Sequence, residues 1–381
     1  MKGRSDLMQP KRILLMYISE VSGHHSATIA IEKAIRTLAP DTEVLNINAF
    51  NYTNPISEKI INKLYMGVIK ATPQIWDFLY DNPAVVKKLD SIKQKIHKFN
   101  SPKLKRLFDS FKPDVVACSQ AFPCGMVADY KKTYGVALPL VAVLTDYIPH
   151  AYWIYDEVNH FIAPSFEVGV RLQERGVPEE KIKTFGIPFD HKFNAPVDKE
   201  IVYKGLGLTP GVFTLLIMGG GQGLGPVKII ARCLEEIQGD FQAIFVCGTN
   251  KRLYNSLVRK QKKLKHRYCP LGYANNINEL MSVADVIVTK PGGITTAEAL
   301  SKQLPMVVVR PIPGQEANNT AFLTSKGAAV NVSEPKEIAV ALQDLIDHPE
   351  KRAAMRQAAG SISKPNASMD IAKLLLSLGH V

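Results

Sequence analysis

The chain alternates short apolar runs with segments of helical spacing, and turns separate the two. The apolar runs are typical of strands buried in a parallel sheet, and we predict such strands at 12–18, 114–119, 138–145, 160–163, 213–218, 243–247, 286–288 and 306–309. Helical spacing follows several of them, as at 26–38, 228–237 and 296–304. This alternation predicts two parallel sheets with helices on both faces.

The pattern breaks near residues 186–204, where Pro188, Pro196 and several charges interrupt it. A chain of 381 residues usually divides into two domains. We therefore expect domains at 1–190 and 191–360, followed by a last helix within 361–381 that packs back on the first domain.

The composition is that of a globular protein, with 46% hydrophobic and 22% charged residues, which excludes disordered and fibrous classes. Its five cysteines form no CxxC pair and are expected as buried thiols in a reducing cytoplasm. The basic N-terminus leads into a short apolar stretch that is typical of a first strand and not of a signal peptide. The longest apolar run, 136–144, is too short to cross a bilayer, which takes about 20 residues.

Positive charge is concentrated in two windows, although the net charge of the whole chain is only +12. Residues 59–106 hold eleven Lys and Arg against three Asp, on two amphipathic helical patterns separated by an aromatic cluster around Trp76. This pattern favours contact with an anionic membrane surface, and a helical hairpin that packs on its own domain is the alternative. The second window, 251–267, carries eight basic and no acidic residues and indicates a solvated helix face.

Five glycines follow the predicted strand 213–218, in the segment MGGGQGLGP at 218–226. Glycine lets backbone amides approach an anion closely, and a helix that begins at Pro226 or Val227 would add its dipole. The loop lacks the G-x-G-x-x-G pattern, and it has no Lys-Ser/Thr pair at the place required for a P-loop. It therefore indicates a phosphate or sugar contact, with purely structural glycines as the alternative.

The segment KPGGITTAEAL at 290–300 follows the predicted strand 286–288. Its glycine pair and two threonines lead into a helix, which places amides and hydroxyls at a positive helix end that can hold an anion. Glu298 is expected in the first turn of this helix. There it either reaches a ribose diol or acts as a capping partner.

The segment PIPGQEANN at 311–319 follows the predicted strand 306–309. Two prolines and a glycine make this loop rigid, so that Gln315, Glu316 and Asn319 present amides and a carboxylate. Such groups suit a polyol, and a helix N-cap cluster is the alternative.

The segment SGHHS at 22–26 follows the first predicted strand. No further ligands lie at a spacing that would complete a metal site around the two histidines. A neutral imidazole at the start of a helix can act as a general base, whereas a structural histidine is the alternative. Asp146 and Trp153 follow another strand of the same half and either line the same cleft or end that strand.

These segments resemble, in this order and spacing, the glycolipid-forming glycosyltransferases that include monogalactosyldiacylglycerol synthase and the bacterial diacylglycerol glucosyltransferases. The three C-terminal segments are similar to the donor-binding half of that family. The segments SGHHSAT and LTDYIPHAYW, together with the basic region 59–106, are similar to the other half. The first loop of the family is usually glycine-rich, whereas a single glycine precedes two histidines here, so His24 and His25 both remain candidates for the base.

The resemblance implies an α/β protein of the GT-B fold, similar to glycosyltransferase family 28, with two Rossmann-like domains facing each other across a cleft. The C-terminal domain would bind a UDP-sugar. The N-terminal domain would bind the acceptor and attach peripherally to the cytoplasmic face of the cell membrane, through contact of residues 59–106 with an anionic surface. The implied reaction is an inverting transfer of glucose or galactose to diacylglycerol, without a metal or other cofactor.

The resemblance also implies a role for each matching residue. His24, directly after Gly23, would deprotonate the acceptor hydroxyl. The diphosphate contacts would be Gly220, Gly221, Gln222, Gly293 and Thr295, the ribose contact Glu298, the uracil contact the backbone of Tyr273, and the sugar contacts Gln315, Glu316 and Asn319. The acceptor side would be lined by Asp146, His150 and Trp153.

Three other functions remain open at this point. One is transfer of N-acetylglucosamine to an undecaprenyl-linked peptidoglycan precursor, and another is a soluble UDP-N-acetylglucosamine epimerase. The third is a noncatalytic subunit that binds a sugar nucleotide. A nucleic-acid partner is not expected, because neither basic window carries a recognised nucleic-acid motif despite a sequence pI of about 9.3.

Overall fold

The chain forms two compact units, each built around one six-stranded sheet. The computed structural model describes residues 11–20, 22–49, 103–223, 225–261, 265–311 and 314–379. The first unit comprises 1–145, 149–190 and 366–381, and the second comprises 146–148 and 191–365. The last helix of the chain therefore belongs to the first unit, and three residues from the N-terminal half belong to the second.

Both sheets are entirely parallel. The strands of the first sheet are β1 (Arg12–Tyr17), β2 (Glu43–Asn48), β3 (Val115–Cys118), β4 (Leu140–Val143), β5 (His160–Ile162) and β6 (Ile182–Lys183), in the spatial order β2-β1-β3-β4-β5-β6. Those of the second sheet are β7 (Phe213–Met218), β8 (Phe241–Val246), β9 (Arg267–Leu271), β10 (Val286–Thr289), β11 (Met306–Val309) and β12 (Ala329–Val332), in the order β12-β11-β10-β7-β8-β9.

Helices connect the strands, as parallel pairing requires. They are α1 (Gly23–Leu38), α2 (Ala121–Tyr134), α3 (Phe166–Glu174), α4 (Lys199–Leu206), α5 (Val227–Cys233), α6 (Lys251–Gln261), α7 (Ile277–Val283), α8 (Gly293–Ser301), α9 (Gln315–Ser325), α10 (Ile338–Asp347), α11 (Pro349–Ile362) and α12 (Ala367–Ser377). Residues 103–111 are also helical. No helix among the described residues is both long and apolar enough to span a membrane.

The first sheet is buried on both faces, which explains why its central strands are continuous apolar runs. Along β1, Leu14 and Met16 join one apolar cluster, while Ile13 and Leu15 join the cluster on the opposite face. The second of these clusters includes residues of both α1 and α12. The C-terminal helix is therefore an integral part of the N-terminal unit.

Two helices begin earlier than the sequence pattern predicts. Helix α1 begins at Gly23, because the Ser22 side chain accepts a hydrogen bond from the amide of His25 and caps the helix at 3.2 Å. The two histidines thus lie in the first helical turn and not in the turn before it. Helix α8 begins at Gly293 and not at 296, directly after its N-cap residue Gly292.

The cysteines are free thiols, and four of the five are buried. Burial raises the pKa of the Cys247 thiol to about 11, so this side chain stays protonated at neutral pH and packs as a small apolar group. Cys269 is only half-buried, contrary to the expectation for all five thiols, because it lies on the edge strand β9.

Candidate active site

His24 is held by the ends of two neighbouring strands of the first sheet. Its Nδ1 atom lies 2.8 Å from the carbonyl oxygen of Ser119, which follows β3, and 3.1 Å from the hydroxyl of Thr145, which follows β4. A carbonyl oxygen only accepts hydrogen bonds, so Nδ1 carries the proton and donates it. The lone pair then lies on Nε2, as a general base requires.

A second hydrogen bond fixes the backbone of the same residue, since the hydroxyl of Ser119 donates to the carbonyl of His24 at 2.9 Å. His24 is therefore tied to Ser119 through both its ring and its main chain. This double attachment fixes the orientation of the imidazole.

His25 has a different environment. Its Nδ1 lies 2.8 Å from the carbonyl oxygen of Glu20, and its ring stacks on Tyr17 with the centroids 4.1 Å apart. Tyr17 is the last residue of β1, and Glu20 lies in the segment between β1 and α1. The local contacts favour His24 over His25 as the base, because the His24 ring lies within hydrogen-bonding distance of residues that follow two further strands, β3 and β4.

The glycine loop after β7 packs tightly against the loop after β8. A Cβ on Gly223 would lie 2.0 Å from the carbonyl oxygen of Cys247, and one on Gly248 would lie 2.2 Å from that of Gly221. Both residues also have positive φ, +57° and +55°, so only glycine fits. Part of the glycine content is therefore structural.

In residues 220–222 of this loop, two carbonyls accept hydrogen bonds from the protein, while two amides can still donate to a ligand. The carbonyls of Gly220 and Gly221 accept from the amides of Gly223 and Thr249, at 2.9 and 3.0 Å. Within the described part of the chain, the amides of Gly221 and Gln222 donate to no protein acceptor. Both of these residues are exposed, so their amides face outward in a way that suits an anionic ligand.

Glu298 lies in the second turn of α8 and not in the first, because the helix begins at Gly293. A capping role is therefore wrong for Glu298, which remains half-buried six positions into the helix. Thr295 is half-buried in the first turn, while Thr296 is fully buried and points into the unit. Of the two threonines, only Thr295 is positioned to offer a hydroxyl at the helix start.

Lys290 is a charged residue of this region to which the sequence analysis gave no role. Its ammonium group forms an ion pair with the Glu316 carboxylate at 3.0 Å, and Glu316 is only 8% exposed. Its side-chain stem lies over the glycine loop, with Cε 3.5 Å from the position of a Cβ on Gly220. Lys290 therefore brings a cation between the loops that follow β7, β10 and β11, which are adjacent strands. The signal in the sequence was its position directly after β10 and before the glycine pair.

Helix α9 begins after Gly314, whose backbone angles of φ 90° and ψ −126° are accessible to glycine. Gln315, the first residue of the helix, is half-buried, and Glu316 follows it. Residues 312 and 313 lie outside the described residues. The ion pair with Lys290 gives Glu316 a partner that the sequence pattern did not reveal.

Asn319 is buried, contrary to the expectation that it contacts the sugar. It is fully buried, its oxygen accepts from the amide of Tyr147 at 2.8 Å, and its nitrogen donates to Asp146 and to the carbonyl of Pro291, both at 2.9 Å. No exposed side-chain atom is left for a sugar hydroxyl. Asn319 instead fastens residues 146–148 within the second unit, where the ring of Tyr147 also stacks on Phe322 at 4.1 Å.

The residues expected on the acceptor side are divided between the two units. Asp146 belongs to the second unit, whereas His150 and Trp153 belong to the first. Trp153 is 4% exposed and packs in the core, so it cannot present its ring to an acceptor without rearrangement. His150 is half-buried, with its ring 6.0 Å from that of Trp153.

Tyr273 follows β9 and is 66% exposed, and its backbone contact with uracil stays a prediction. In the second basic window, α6 buries only Leu253 and Leu257 and exposes its cations, which confirms a solvated helix face.

Most of the first basic window, 59–102, lies outside the described residues. Among the residues that are described, no group of three or more His, Cys, Asp or Glu side chains is arranged to hold a metal ion.

Comparison with known proteins matches two successive parts of the chain to family models. Residues 24–189 match the family model of monogalactosyldiacylglycerol synthase, and residues 214–375 match the C-terminal domain of glycosyltransferase family 28. A processive diacylglycerol beta-glucosyltransferase of Bacillus cytotoxicus is 31% identical over 377 residues, which cover 98% of this chain and 95% of the relative. The chain belongs to the diacylglycerol glucosyltransferase family. A relative of the same description from Bacillus cereus is 30% identical over 98% of the chain.

Solved structures identify the fold of this diacylglycerol glucosyltransferase family member. MurG of Acinetobacter baumannii is similar with a TM-score of 0.65 and 14% identity, covering 97% of this chain and 100% of that one. HepE of Anabaena in complex with UDP-glucose is similar with a TM-score of 0.55 and 17% identity, covering 96% and 100%. At such identities the likeness concerns the fold, which is GT-B with two Rossmann-like units.

Proposed function

We propose that this protein transfers glucose from UDP-glucose to the hydroxyl group of diacylglycerol, with inversion at the anomeric carbon, at the cytoplasmic surface of the membrane. The observation that carries the proposal is the match along nearly the whole chain to relatives named processive diacylglycerol beta-glucosyltransferase. The names of those relatives favour glucose over galactose as the donated sugar. Epimerisation loses support, since the UDP-GlcNAc 2-epimerase of Neisseria meningitidis is only 16% identical and shares the fold alone.

His24 supplies the base in this reaction. Its Nε2 removes the proton from the diacylglycerol hydroxyl, while the Nδ1 proton stays on its bond to the Ser119 carbonyl. The hydroxyl oxygen then forms a bond to the anomeric carbon from the face opposite to UDP. The proton remains on His24 until it passes to solvent.

The loops of the second unit stabilise the leaving group. As the bond between the anomeric carbon and the β-phosphate oxygen breaks, negative charge grows on the diphosphate. Fixed hydrogen-bond donors stabilise this charge without reorganisation. They are the amides of Gly221 and Gln222, the start of α8 and the Lys290 ammonium. We therefore propose a reaction that needs no divalent cation, and chelation by EDTA should leave the rate unchanged.

The test is a product assay with the intact protein. Vesicles that contain diacylglycerol and phosphatidylglycerol are incubated separately with UDP-glucose, UDP-galactose and UDP-N-acetylglucosamine, and the lipids are analysed by mass spectrometry. We expect a hexosyl-diacylglycerol with UDP-glucose, and addition of further hexoses would reveal processive transfer. Absence of any lipid product with all three donors, while UDP still binds, would refute the proposal.

Contact with the membrane is proposed through the basic window 59–106. Replacing Lys87, Lys88, Lys93 and Lys95 by Gln removes four positive charges, each worth about 1 kcal/mol near an anionic surface. We therefore expect the affinity for phosphatidylglycerol vesicles, measured by sedimentation, to fall by about two to three orders of magnitude. The matched control replaces the exposed Lys199, Lys204, Lys336 and Lys364 by Gln and should sediment like the unaltered protein. Equal sedimentation of both variants would remove this window as the membrane contact.

A further inference from the structure

A cationic cleft lies between helices α5 and α6 of the second unit, on a surface with no role in the steps described above. It has a volume of about 130 Å³. Ala231 and Leu257 form its apolar floor, and Lys228, Arg232 and Lys260 stand at its exposed rim. A cleft of this volume has room for a small group such as a phosphate.

In the part of the chain that the structure describes, Lys228, Arg232 and Lys260 form no ion pair. Helix α6 adds Lys251, Arg252 and Arg259 and contains no acidic residue. The surface is therefore positive and uncompensated, and its charge complements an anion.

The one acidic residue in the cleft, Glu235, is directed to other partners. One of its carboxylate oxygens accepts from the hydroxyl of Tyr268 at 2.6 Å, and the other accepts from the amide of Lys265 at 2.9 Å. These two hydrogen bonds hold the Glu235 carboxylate toward Tyr268 and Lys265, and the three rim cations outnumber its single negative charge.

Two exposed apolar side chains lie on the same two helices as the cations, outside the lining of the cleft. Ile229 on α5 is 42% exposed, and Tyr254 on α6 is 37% exposed. Basic residues accompanied by an aliphatic and an aromatic side chain are the combination that lies in a membrane interface, where the apolar groups enter the headgroup region. A soluble anion would use the cations but gain nothing from Ile229 and Tyr254.

We propose that the cleft between α5 and α6 binds the phosphate headgroup of an anionic phospholipid and so holds the donor-binding unit at the membrane surface. The choice of a lipid occupant rests on the proposed function, because an enzyme that glycosylates diacylglycerol works beside such headgroups. The residues of the cleft lie outside the basic window 59–106.

The test measures sedimentation of the full chain with vesicles of phosphatidylcholine alone or mixed with phosphatidylglycerol. The variant Lys228→Gln/Arg232→Gln/Lys260→Gln should bind the anionic vesicles on the order of 100-fold more weakly, since each basic residue near the surface contributes about fivefold. The control Lys204→Gln/Arg356→Gln/Lys364→Gln removes the same charge from exposed positions elsewhere in the second unit and should bind within twofold of the unaltered protein. Anionic-vesicle binding of the cleft variant equal to that of the unaltered protein would overturn the proposal.

A second arm separates a lipid headgroup from a free anion. If calorimetric titration shows that inorganic phosphate fills the cleft while vesicle binding stays unchanged, the site belongs to a soluble anion and the proposal fails. A third arm uses diacylglycerol in neutral detergent micelles, where the cleft variant should form glycolipid at the normal rate. Loss of product from every protein tested would count against the proposed function, whereas normal product with unchanged vesicle binding would count against the cleft alone.

Discussion

Replacing His24 by Ala is expected to reduce glycosyl transfer about 10³-fold, within the 10²- to 10⁴-fold range typical for loss of a general base. UDP binding should stay within a few-fold of the unaltered protein, because His24 belongs to the first unit and the loops expected to hold UDP belong to the second. The measurement compares the initial rate of hexosyl-diacylglycerol formation with the calorimetric affinity for UDP.

His25→Ala is the matched control for this experiment, since both residues lie in the first turn of α1. It removes the stack on Tyr17 but leaves the bond between His24 and Ser119 in place, and we expect a rate within a few-fold of normal. A His24→Ala variant that transfers at the normal rate would disprove the base assignment. A large loss in His25→Ala with a normal rate in His24→Ala would move the assignment to His25.

Replacing Asn319 by Ala is expected to destabilise the second unit by about 3 kcal/mol. The change leaves the amide of Tyr147 and the carbonyl of Pro291 buried without partners, and each such group costs about 1–3 kcal/mol. For a unit of this size, that loss lowers the midpoint of thermal unfolding by about 6–12 °C. Calorimetry measures the midpoint, and hydrogen exchange should show that the Tyr147 amide loses its protection.

Asn318→Ala provides the comparison, because Asn318 is a half-buried neighbour whose side chain bonds only to the carbonyl of Gly314. Its effect on stability should stay below about 1 kcal/mol. The two possible roles of Asn319 give opposite results. If Asn319→Ala keeps normal stability and normal protection at Tyr147 but raises the KM for UDP-glucose, Asn319 is a sugar ligand after all.

The strands that the sequence predicts are the central ones. Residues 213–218 and 306–309 became β7 and β11 with the predicted bounds, because strands buried on both faces are unbroken apolar runs. The strands that the pattern did not reveal, β2, β6, β9 and β12, are the four edge strands of the two sheets. Edge strands are short or carry polar residues, and β9 even contains a proline, so their apolar signal is weak.

In the candidate site, too, features set by neighbouring residues could be predicted from the sequence, whereas contacts between distant residues could not. Loops rich in glycine, proline and threonine after predicted strands could be found from the sequence, because turn chemistry is local. The bond from Asn319 to Asp146 spans 173 residues, and the ion pair between Lys290 and Glu316 joins two separate loops. Spacing within a motif carries no information about such partners. For this reason the sequence predicts a ligand role for Asn319 and none for Lys290.

Helix α12 has a consequence for how the protein is made. The apolar core of the first unit includes Ile371 and Leu375 from this helix, and the Lys11 ammonium donates to the carbonyl of Leu376, 365 residues along the chain. During synthesis the whole second unit leaves the ribosome before α12 does, and contacts between such distant segments form slowly. The N-terminal unit is thus completed last, although it is translated first. Premature termination shortly before Ala367 would therefore damage the N-terminal half of the protein and spare the C-terminal half.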